Sequence, residues 1–424
     1  MRILIKGGHV VDPANKIDEL RDVLIQDGRI VKVQKNIKEA VDEIINASGK
    51  HVFPGLVDVH THLRQPGQEG KETIESGSRA AAKGGFTSVC CMPNTKPVID
   101  ERSLVQMIYA EAERVGLIKV FPFGAVTKNL EGKLLSEIGE LKDAGVVALS
   151  DDGRPVYSSK VMRHALEYAK MFDLRISDHC QDLDLSEGAV MHEGVVSTEL
   201  GLKGMPAASE TVMVARDIEL AEMTGGKLHI AHASCAGSIW QVREAKARGV
   251  DVTCEVCPHH FSLSHEAVRN YDPCTKMYPP LRTQEDIIAI KEGLADGTVD
   301  CIATDHAPHT QWEKEMEYNV APCGIIGLET AFSLSLKELV HTKILTLSQL
   351  IDKMSSAPAK IFALPAGSLS EGVDADVALV DLESEWTVKE EEIHSKSKNT
   401  PFMGMTLPGV IEMTLCRGKI VYRK

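Results

Sequence analysis

Short apolar runs separated by Gly, Asp and Asn turns occupy the first 50 residues of the chain, as in ILIKGGHVVD and DVLIQDGRIVKV. The last 60 residues repeat the pattern in ADVALVDL and VIEMTLCRGKIVYR. Apolar runs of this length bounded by turn residues are typical of β-strands. We therefore expect residues 1–50 and 367–424 to pair into one small β-sandwich.

Strand and helix patterns alternate between these two ends. The predicted strands are 52–60, 86–92, 119–126, 146–150, 174–179, 228–232, 251–256 and 299–304. The predicted helices are 73–84, 101–115, 159–171, 210–223, 237–248, 284–294 and 328–340. Such alternation is the layout of an α/β protein with a parallel barrel. We expect residues 51–366 to form a (β/α)8 TIM barrel that carries the catalytic site.

Composition narrows the class of protein. A hydrophobic content of 43% is enough for a large core. No apolar run reaches transmembrane length and the first residues read as a strand rather than a signal peptide. Ten scattered cysteines favour reduced thiols in the cytoplasm. The net charge of −14 argues against nucleic acid or an anionic membrane as partner, although a small anionic substrate needs only a local cationic pocket.

Six residues of metal-ligand type each follow an apolar run directly. They are His60, His62, Asp152, His179, His232 and Asp305. Side chains alternate along a strand, so a His-x-His pair presents both imidazoles on one face. In a (β/α)8 barrel the carboxyl ends of the strands carry the catalytic residues. Repetition at successive strand ends argues against six unrelated polar residues, and the set predicts one or two zinc ions.

Several motifs occur in a recognisable order along nearly the whole chain. They are GLVDVHTHLRQPG, CCMPNTKPVID, ALSDDG, HIAHAS, CPHH, TDHAPH, GLET, PAKIF and SKSKNTPF. Together they resemble the dihydroorotase family of the amidohydrolase superfamily. The resemblance implies a cyclic amide hydrolase that catalyses the reversible cyclisation of N-carbamoyl-L-aspartate to L-dihydroorotate in pyrimidine biosynthesis.

The resemblance implies a role for each predicted metal ligand. His60 and His62 match the pair on a first metal, and Asp305 matches the carboxylate that binds this metal and moves the proton. His179 and His232 match the pair on a second metal.

The sequence offers two residues for the group between the two metals. Many relatives use a carboxylated lysine there, but no lysine lies between Ala144 and Gly153. The resemblance therefore points to the subgroup that uses an aspartate, Asp152, with the neighbouring Asp151 as the competitor.

The resemblance also implies a set of substrate-binding residues. Arg64, Asn94 and His309 match the groups that hold the free carboxylate, and His62 contacts substrate as well. A planar guanidinium suits this task because it binds a carboxylate through two parallel hydrogen bonds.

Three further substrate positions differ from the family or depend on the main chain. Tyr278 stands where the resemblance leads us to expect an asparagine. Cys323 stands where phenylalanine is usual, next to Gly324. We expect Cys180, beside His179, to pack in the interior, with metal ligation as the alternative, and the SKSKNTPF run to be a solvated loop against the barrel.

Two alternative functions remain open from the residues. The first is another cyclic amidohydrolase, of allantoinase or hydantoinase type, whose uncharged substrate would not need Arg64. The second is a weakly active dihydroorotase-like subunit that organises aspartate transcarbamoylase, which associates with some relatives that carry the aspartate. We also expect the chain to form a homo-oligomer.

Overall fold

The two ends of the chain lie in one eight-stranded sheet of the computed structural model, which describes residues 1–424. The strands of the whole chain are β1 (Arg2–Asp12), β2 (Ile17–Gln26), β3 (Arg29–Gln34), β4 (Glu43–Asn46), β5 (His51–Pro54), β6 (Leu56–Thr61), β7 (Phe86–Cys91), β8 (Lys119–Pro122), β9 (Arg175–Asp178), β10 (Met191–His192), β11 (Gly204–Met205), β12 (Lys227–Ile230), β13 (Val252–Val256), β14 (Cys301–Ile302), β15 (Val377–Thr387), β16 (Thr406–Cys416) and β17 (Lys419–Arg423). The sheet has the order β17-β16-β15-β5-β1-β2-β3, with β4 paired to β1. The two ends meet where β15 runs antiparallel to β5, as the strand patterns predict.

A closed parallel barrel occupies the middle of the chain. Two runs of neighbouring strands, β6-β7-β8 and β9-β12-β13-β14, form most of it. Leu149 joins them through single parallel bridges to Gly124 and to Ile176, so the 146–150 segment acts as the fourth strand. A bridge between Thr61 and His306 closes the ring. The α/β class and the barrel-plus-sandwich fold are therefore confirmed.

Thirteen helices accompany the strands. They are α1 (Ile74–Lys83), α2 (Arg102–Val115), α3 (Ile138–Ala144), α4 (Ser159–Lys170), α5 (Val195–Leu200), α6 (Ala208–Thr224), α7 (Ala236–Ala247), α8 (Pro258–Ser262), α9 (Gln284–Asp296), α10 (Gln311–Lys314), α11 (Ala331–Ser335), α12 (Leu347–Ile351) and α13 (Ala357–Ile361). Local capping explains several starts: Thr73 accepts from the amide of Ser76 at α1, and Thr283 accepts from that of Asp286 at α9. None of the helices combines the length and the apolar character needed to cross a membrane.

The first predicted strand, 52–60, is divided between the two modules. Residues His51–Pro54 pair with β1 and β15, whereas Leu56–Thr61 belong to the barrel. Gly55 makes the crossing, because a Cβ there would lie 2.1 Å from Oγ1 of Thr87. We therefore propose a barrel boundary at Gly55 rather than at residue 51.

Residues 388–405, between β15 and β16, leave the sheet and cover the carboxyl end of the barrel. We call them the 388–405 segment. Val388, Ile393 and Phe402 pack there against barrel residues that include Ile325 and Ile326. The expectation of a solvated SKSKNTPF loop is wrong in part, since four of its polar residues are at most 5% exposed: Ser395, Ser397, Asn399 and Thr400.

Candidate metal centre and substrate pocket

The six predicted metal ligands meet in one buried cluster at the carboxyl end of the barrel strands. Three overlapping groups have their ligand atoms within 4.8 Å of one another. The groups are His60, His62 and Asp152; Asp152, His179 and His232; and His60, His232 and Asp305. Residues from five different strand ends are therefore brought together, as expected for a site built on a barrel.

Asp152 lies at the centre of this cluster. Its Oδ1 is 3.4 Å from Nε2 of His60, 3.4 Å from Nε2 of His232 and 3.6 Å from Nδ1 of His179. Its Oδ2 is 3.4 Å from Nε2 of His62. One carboxylate thus faces both pairs of histidines, which is the position of a bridging group.

Asp151, the competitor for that position, points elsewhere. Its Oδ1 accepts a 2.9 Å hydrogen bond from the amide of Thr127, and its Oδ2 accepts from the Thr127 hydroxyl. Burial raises the pKa of Asp151 to about 6 although these bonds to Thr127 oppose the shift. Asp151 therefore fastens the loop after β8, and the geometry favours Asp152 at the centre.

Two partners orient the His-x-His pair from behind. Nδ1 of His60 donates to Oε1 of Glu255 at 2.5 Å, and Nδ1 of His62 donates to Oδ1 of Asn94 at 2.9 Å. Each bond leaves Nε2 as the ligand atom and fixes the ring plane, a common arrangement around metal-binding histidines. Sequence reasoning missed Glu255, although a lone carboxylate inside the buried strand VTCEV was a usable signal.

The backbone is strained at three site residues. Arg64 has φ +59°, His232 has φ +33° and Asp305 has φ +45°. Residues other than glycine adopt such angles rarely, and surrounding structure has to enforce them. Ten other non-glycine residues also have positive φ, so the strain supports a functional site only together with the clustering of these three residues.

Buried carboxylates and histidines of the cluster shift each other's pKa values. Burial opposes the charged form of His60, but Asp152, Glu255 and Asp305 raise its pKa well above the usual value. Burial would raise the pKa of Asp305, yet His60 and His62 lower it to about 2. The carboxylates are thus held ionised and require positive charge between them.

The donor set fits a divalent cation. Nε2 of His60 and Oδ1 of Asp152 are both buried and have no hydrogen-bond partner, although they lie 3.4 Å apart. Buried polar atoms are nearly always paired, so a shared ligand between them is the simple explanation. Imidazole and carboxylate donors in this number suit zinc or a similar metal.

A cavity of about 220 Å³ opens beside the cluster. Arg64, Asn94 and His309 line it together with five of the six predicted ligands. Arg64 is 8% exposed and has no carboxylate within 4.0 Å, and burial lowers its pKa to about 10. Burial of a cation without a counter-ion costs free energy. We therefore expect an anionic ligand to bind beside Arg64.

The three divergent substrate positions behave differently from one another. Tyr278 and Cys323 line the cavity, and the Tyr278 hydroxyl donates to the carbonyl of Ala189. Gly324 lies outside the lining, and its amide already donates to the carbonyl of Lys276 at 2.9 Å. A Cβ at Gly324 would lie 2.4 Å from the Ala307 carbonyl oxygen, so only glycine fits this close approach.

Cys180 faces away from the cluster of the six predicted metal ligands, which we call the metal-type cluster. Its Sγ lies 3.5 Å from Oδ2 of Asp217 and 3.9 Å from Oδ2 of Asp178. Burial, with Asp217 and Asp178, raises its pKa well above the usual value. A neutral packed thiol is the result, as the sequence predicts.

Asn399 of the 388–405 segment ties two loops of the pocket together. Its Oδ1 accepts from the amide of His309, and its Nδ2 donates to the carbonyls of Ala307 and Gly324, each at 3.0 Å. Nothing in the local pattern of SKSKNTPF indicates these contacts with residues 75 to 92 positions earlier.

Comparisons with known proteins agree with this architecture. L-hydantoinase (dihydropyrimidinase) from Arthrobacter aurescens superposes with a TM-score of 0.89 at 24% identity, covering 100% of this chain and 96% of the other. Dihydropyrimidinase from Brevibacillus agri gives 0.86 at 24% identity, covering 100% and 95%. At this level of identity the likeness shows the fold, and the clustered histidines and aspartates would suit a divalent metal.

Sequence relatives give the family. The dihydro-orotase-like family model matches residues 49–238. Dihydroorotase from Geobacter metallireducens is 52% identical over 425 residues, covering 100% of both chains. Dihydroorotase from Pelotomaculum thermopropionicum is 53% identical over 422 residues, covering 99% of this chain and 98% of the relative. The chain belongs to the dihydroorotase family.

Proposed function

We propose that this chain is a zinc-dependent dihydroorotase that interconverts N-carbamoyl-L-aspartate and L-dihydroorotate in de novo pyrimidine biosynthesis. One observation carries the proposal: a buried guanidinium without a counter-ion, Arg64, lines the same cavity as the metal-type cluster. A cyclic amide with a free carboxylate would present its amide to the cluster and its carboxylate to Arg64. An uncharged ring would leave Arg64 unpaired.

Zinc is the proposed metal, as one or two ions per chain. His60, His62 and Asp305 would hold the first ion, His179 and His232 the second, and Asp152 would contact both. When bound, zinc would supply Lewis acidity and lower the pKa of a water molecule toward neutrality.

The substrate carboxylate would be held by Arg64, Asn94 and His309. Oδ1 of Asn94 is engaged by His62, so its amide nitrogen remains to donate. We propose that Tyr278, Cys323 and Gly324 contribute less to substrate binding than these three residues. The Tyr278 hydroxyl and the Gly324 amide already have hydrogen-bond partners within the protein.

Asp305 would move the proton. In ring opening its carboxylate takes a proton from the attacking water and delivers it to the departing amide nitrogen. In ring closure the steps reverse: as the nitrogen attacks the carboxyl carbon, Asp305 takes the proton of the nitrogen and passes it to the carboxyl oxygen that departs as water. Its place 3.0 Å from Nε2 of His62, on the wall of the cavity, supports this role.

The test is hydrolysis of L-dihydroorotate by the purified chain after chelation and after added zinc. We expect activity to be lost on chelation and restored by zinc, with bound metal measured in the same samples. Dihydrouracil and hydantoin, which lack the carboxylate, should be poor substrates. Efficient turnover of either neutral ring, with little turnover of dihydroorotate, would instead support a hydantoinase-type activity.

Assembly is a separate proposal. We propose a cytoplasmic homo-oligomer that also binds aspartate transcarbamoylase, on the basis of Asp152 and the subgroup it resembles. Cys180 and Tyr278 add no support for a need of that partner, since Cys180 faces away from the cluster and the Tyr278 hydroxyl donates to the carbonyl of Ala189. Co-elution at micromolar concentration and a rise in activity on mixing would support the partner. Full activity alone without co-elution would contradict it.

A further inference from the structure

Lys71 contributes a second cation to the wall of the cavity, beside Arg64. It follows the turn after β6 and precedes α1. Its Nζ lies 3.2 Å from Nδ1 of His309 and 2.9 Å from Oε1 of Glu313. The side chain is 21% exposed, so this ammonium is largely withdrawn from solvent.

The backbone around Lys71 is fixed. Its amide donates to the carbonyl of Gln68 at 2.9 Å, and its carbonyl accepts from the hydroxyl of Ser397 at 2.7 Å. Ser397 belongs to the buried part of the 388–405 segment. These hydrogen bonds hold the backbone of Lys71 in place, so the start of its side chain is fixed relative to His309.

His309 lies between two cations. Nδ1 faces Lys71 at 3.2 Å, and Nε2 faces Nη2 of Arg64 at 3.3 Å. Burial, followed by Arg64 and Lys71, keeps the pKa of His309 far below its usual value, so the ring is neutral. A neutral imidazole donates at one nitrogen and accepts at the other, whereas both neighbours can only donate.

The tautomer decides whether an anion can bind. If Nδ1 accepts from Lys71, the proton is on Nε2 and opposes the guanidinium of Arg64. A carboxylate oxygen entering between Nε2 and Arg64 would accept from both and remove that opposition. In the other tautomer, the lone pair of Nε2 would face the incoming carboxylate and repel it.

Glu313 favours the opposite tautomer of His309, with the proton on Nδ1. Its Oε2 lies 3.6 Å from Nδ1 of His309 and accepts from the amide and hydroxyl of Thr310. Without Lys71, this carboxylate would attract a proton onto Nδ1 and leave Nε2 bare. Lys71 both neutralises Glu313 and occupies the Nδ1 lone pair.

We propose that Lys71 is a positioning residue that sets the hydrogen-bond direction of the carboxylate subsite. It holds Nδ1 of His309 as the acceptor, so that Nε2–H and Arg64 together donate to the substrate carboxylate. Lys71 thereby favours anionic rings over neutral ones. This inference rests on the proposed function, because it assumes a substrate carboxylate at Arg64.

The test compares Lys71→Met with Lys71→Arg in the zinc-loaded protein. Lys71→Met keeps the length of the side chain but cannot donate. We expect KM for dihydroorotate to rise about 10- to 100-fold, the range for loss of a charge-assisted hydrogen bond, with a much smaller fall in kcat. Lys71→Arg retains a donor and should restore most of the loss. The exposed Lys96, on a neighbouring loop, gives the control variant Lys96→Met.

Two further measurements separate positioning from general damage. The Kd of orotate, a non-reacting ring with the same carboxylate, should rise with KM in Lys71→Met, while bound zinc stays unchanged. Nitrogen-15 spectra of His309 should show the proton on Nε2 in the parent and on Nδ1 in Lys71→Met.

The outcomes are distinguishable. A parent that binds orotate, with Lys71→Met matching it in Kd and KM within twofold, overturns this inference alone. An equal loss in Lys71→Arg, or a fall confined to kcat, also overturns it. A parent that neither hydrolyses dihydroorotate nor binds orotate overturns the proposed function and this inference with it.

Discussion

Asn399→Ala should damage the pocket from a position outside the lining of the cavity. The variant removes three hydrogen bonds of 3.0 Å at once. It leaves the amide of His309 and the carbonyls of Ala307 and Gly324 without their partner. The amide of His309 and the carbonyl of Ala307 lie in the loop that brings His309 to the cavity, and Gly324 packs against Ala307.

The magnitude follows from the number of orphaned groups. A buried polar group left unsatisfied costs about 1–3 kcal/mol, and a water molecule in the space of the lost amide would recover part of this. We therefore expect the free energy of unfolding to fall by about 3 kcal/mol, in line with the larger single-residue effects. A shift of His309 by about 1 Å would cost on the order of 100-fold in kcat/KM.

The assay is paired thermal unfolding and dihydroorotate kinetics in the zinc-loaded protein. Asn319→Ala is the matched control, since Asn319 is exposed and its hydrogen bond with Nζ of Lys276 uses the backbone carbonyl, which alanine keeps. Asn399→Asp should be no better than Asn399→Ala, because it sets a carboxylate against two carbonyl oxygens. If Asn399→Ala retained the melting temperature and kcat/KM of the control, the three hydrogen bonds of Asn399 would contribute to neither stability nor activity.

Three other outcomes follow from the site. Asp305→Asn should lower kcat by about 10²- to 10⁴-fold, the range for losing a general acid–base group; a loss of only a few-fold would mean that another group moves the proton. Arg64→Lys should raise KM for dihydroorotate although the charge is kept, since an ammonium cannot form the paired hydrogen bonds; the exposed Arg154 supplies Arg154→Lys as control, and equal KM values would exclude the anchor. Asp152→Asn should lower bound zinc measured by elemental analysis, whereas Asp151→Asn should retain it; the reverse result would exchange their roles.

The metal-type residues could be predicted because each belongs to a local pattern. An apolar run that ends in His or Asp is visible within ten residues, and a parallel barrel brings such ends together without further information. The choice between Asp151 and Asp152 needed coordinates. Adjacent residues on a strand end point to opposite sides, but the sequence does not say which side is the interior.

The contacts that brace the site could not be predicted from local patterns. Glu255 reaches His60 across 195 positions, and Asn399 reaches Ala307 across 92. The division of 52–60 between two modules also depends on a distant partner, since β5 pairs with β15 near the other end of the chain. Periodicity describes which residues are buried but not which distant residue they meet.

Asn399 lies 75 to 92 positions after the groups it binds, and this order along the chain bears on how the protein is made. A ribosome releases the barrel residues before residue 399, and domains generally fold in the order of their synthesis. Until residue 399 has left the exit tunnel, the amide of His309 and the carbonyls of Ala307 and Gly324 await their partner. A nascent chain whose barrel residues have emerged can therefore still lack the contacts that join the pocket loops, and translation that stops before residue 399 yields a barrel without them.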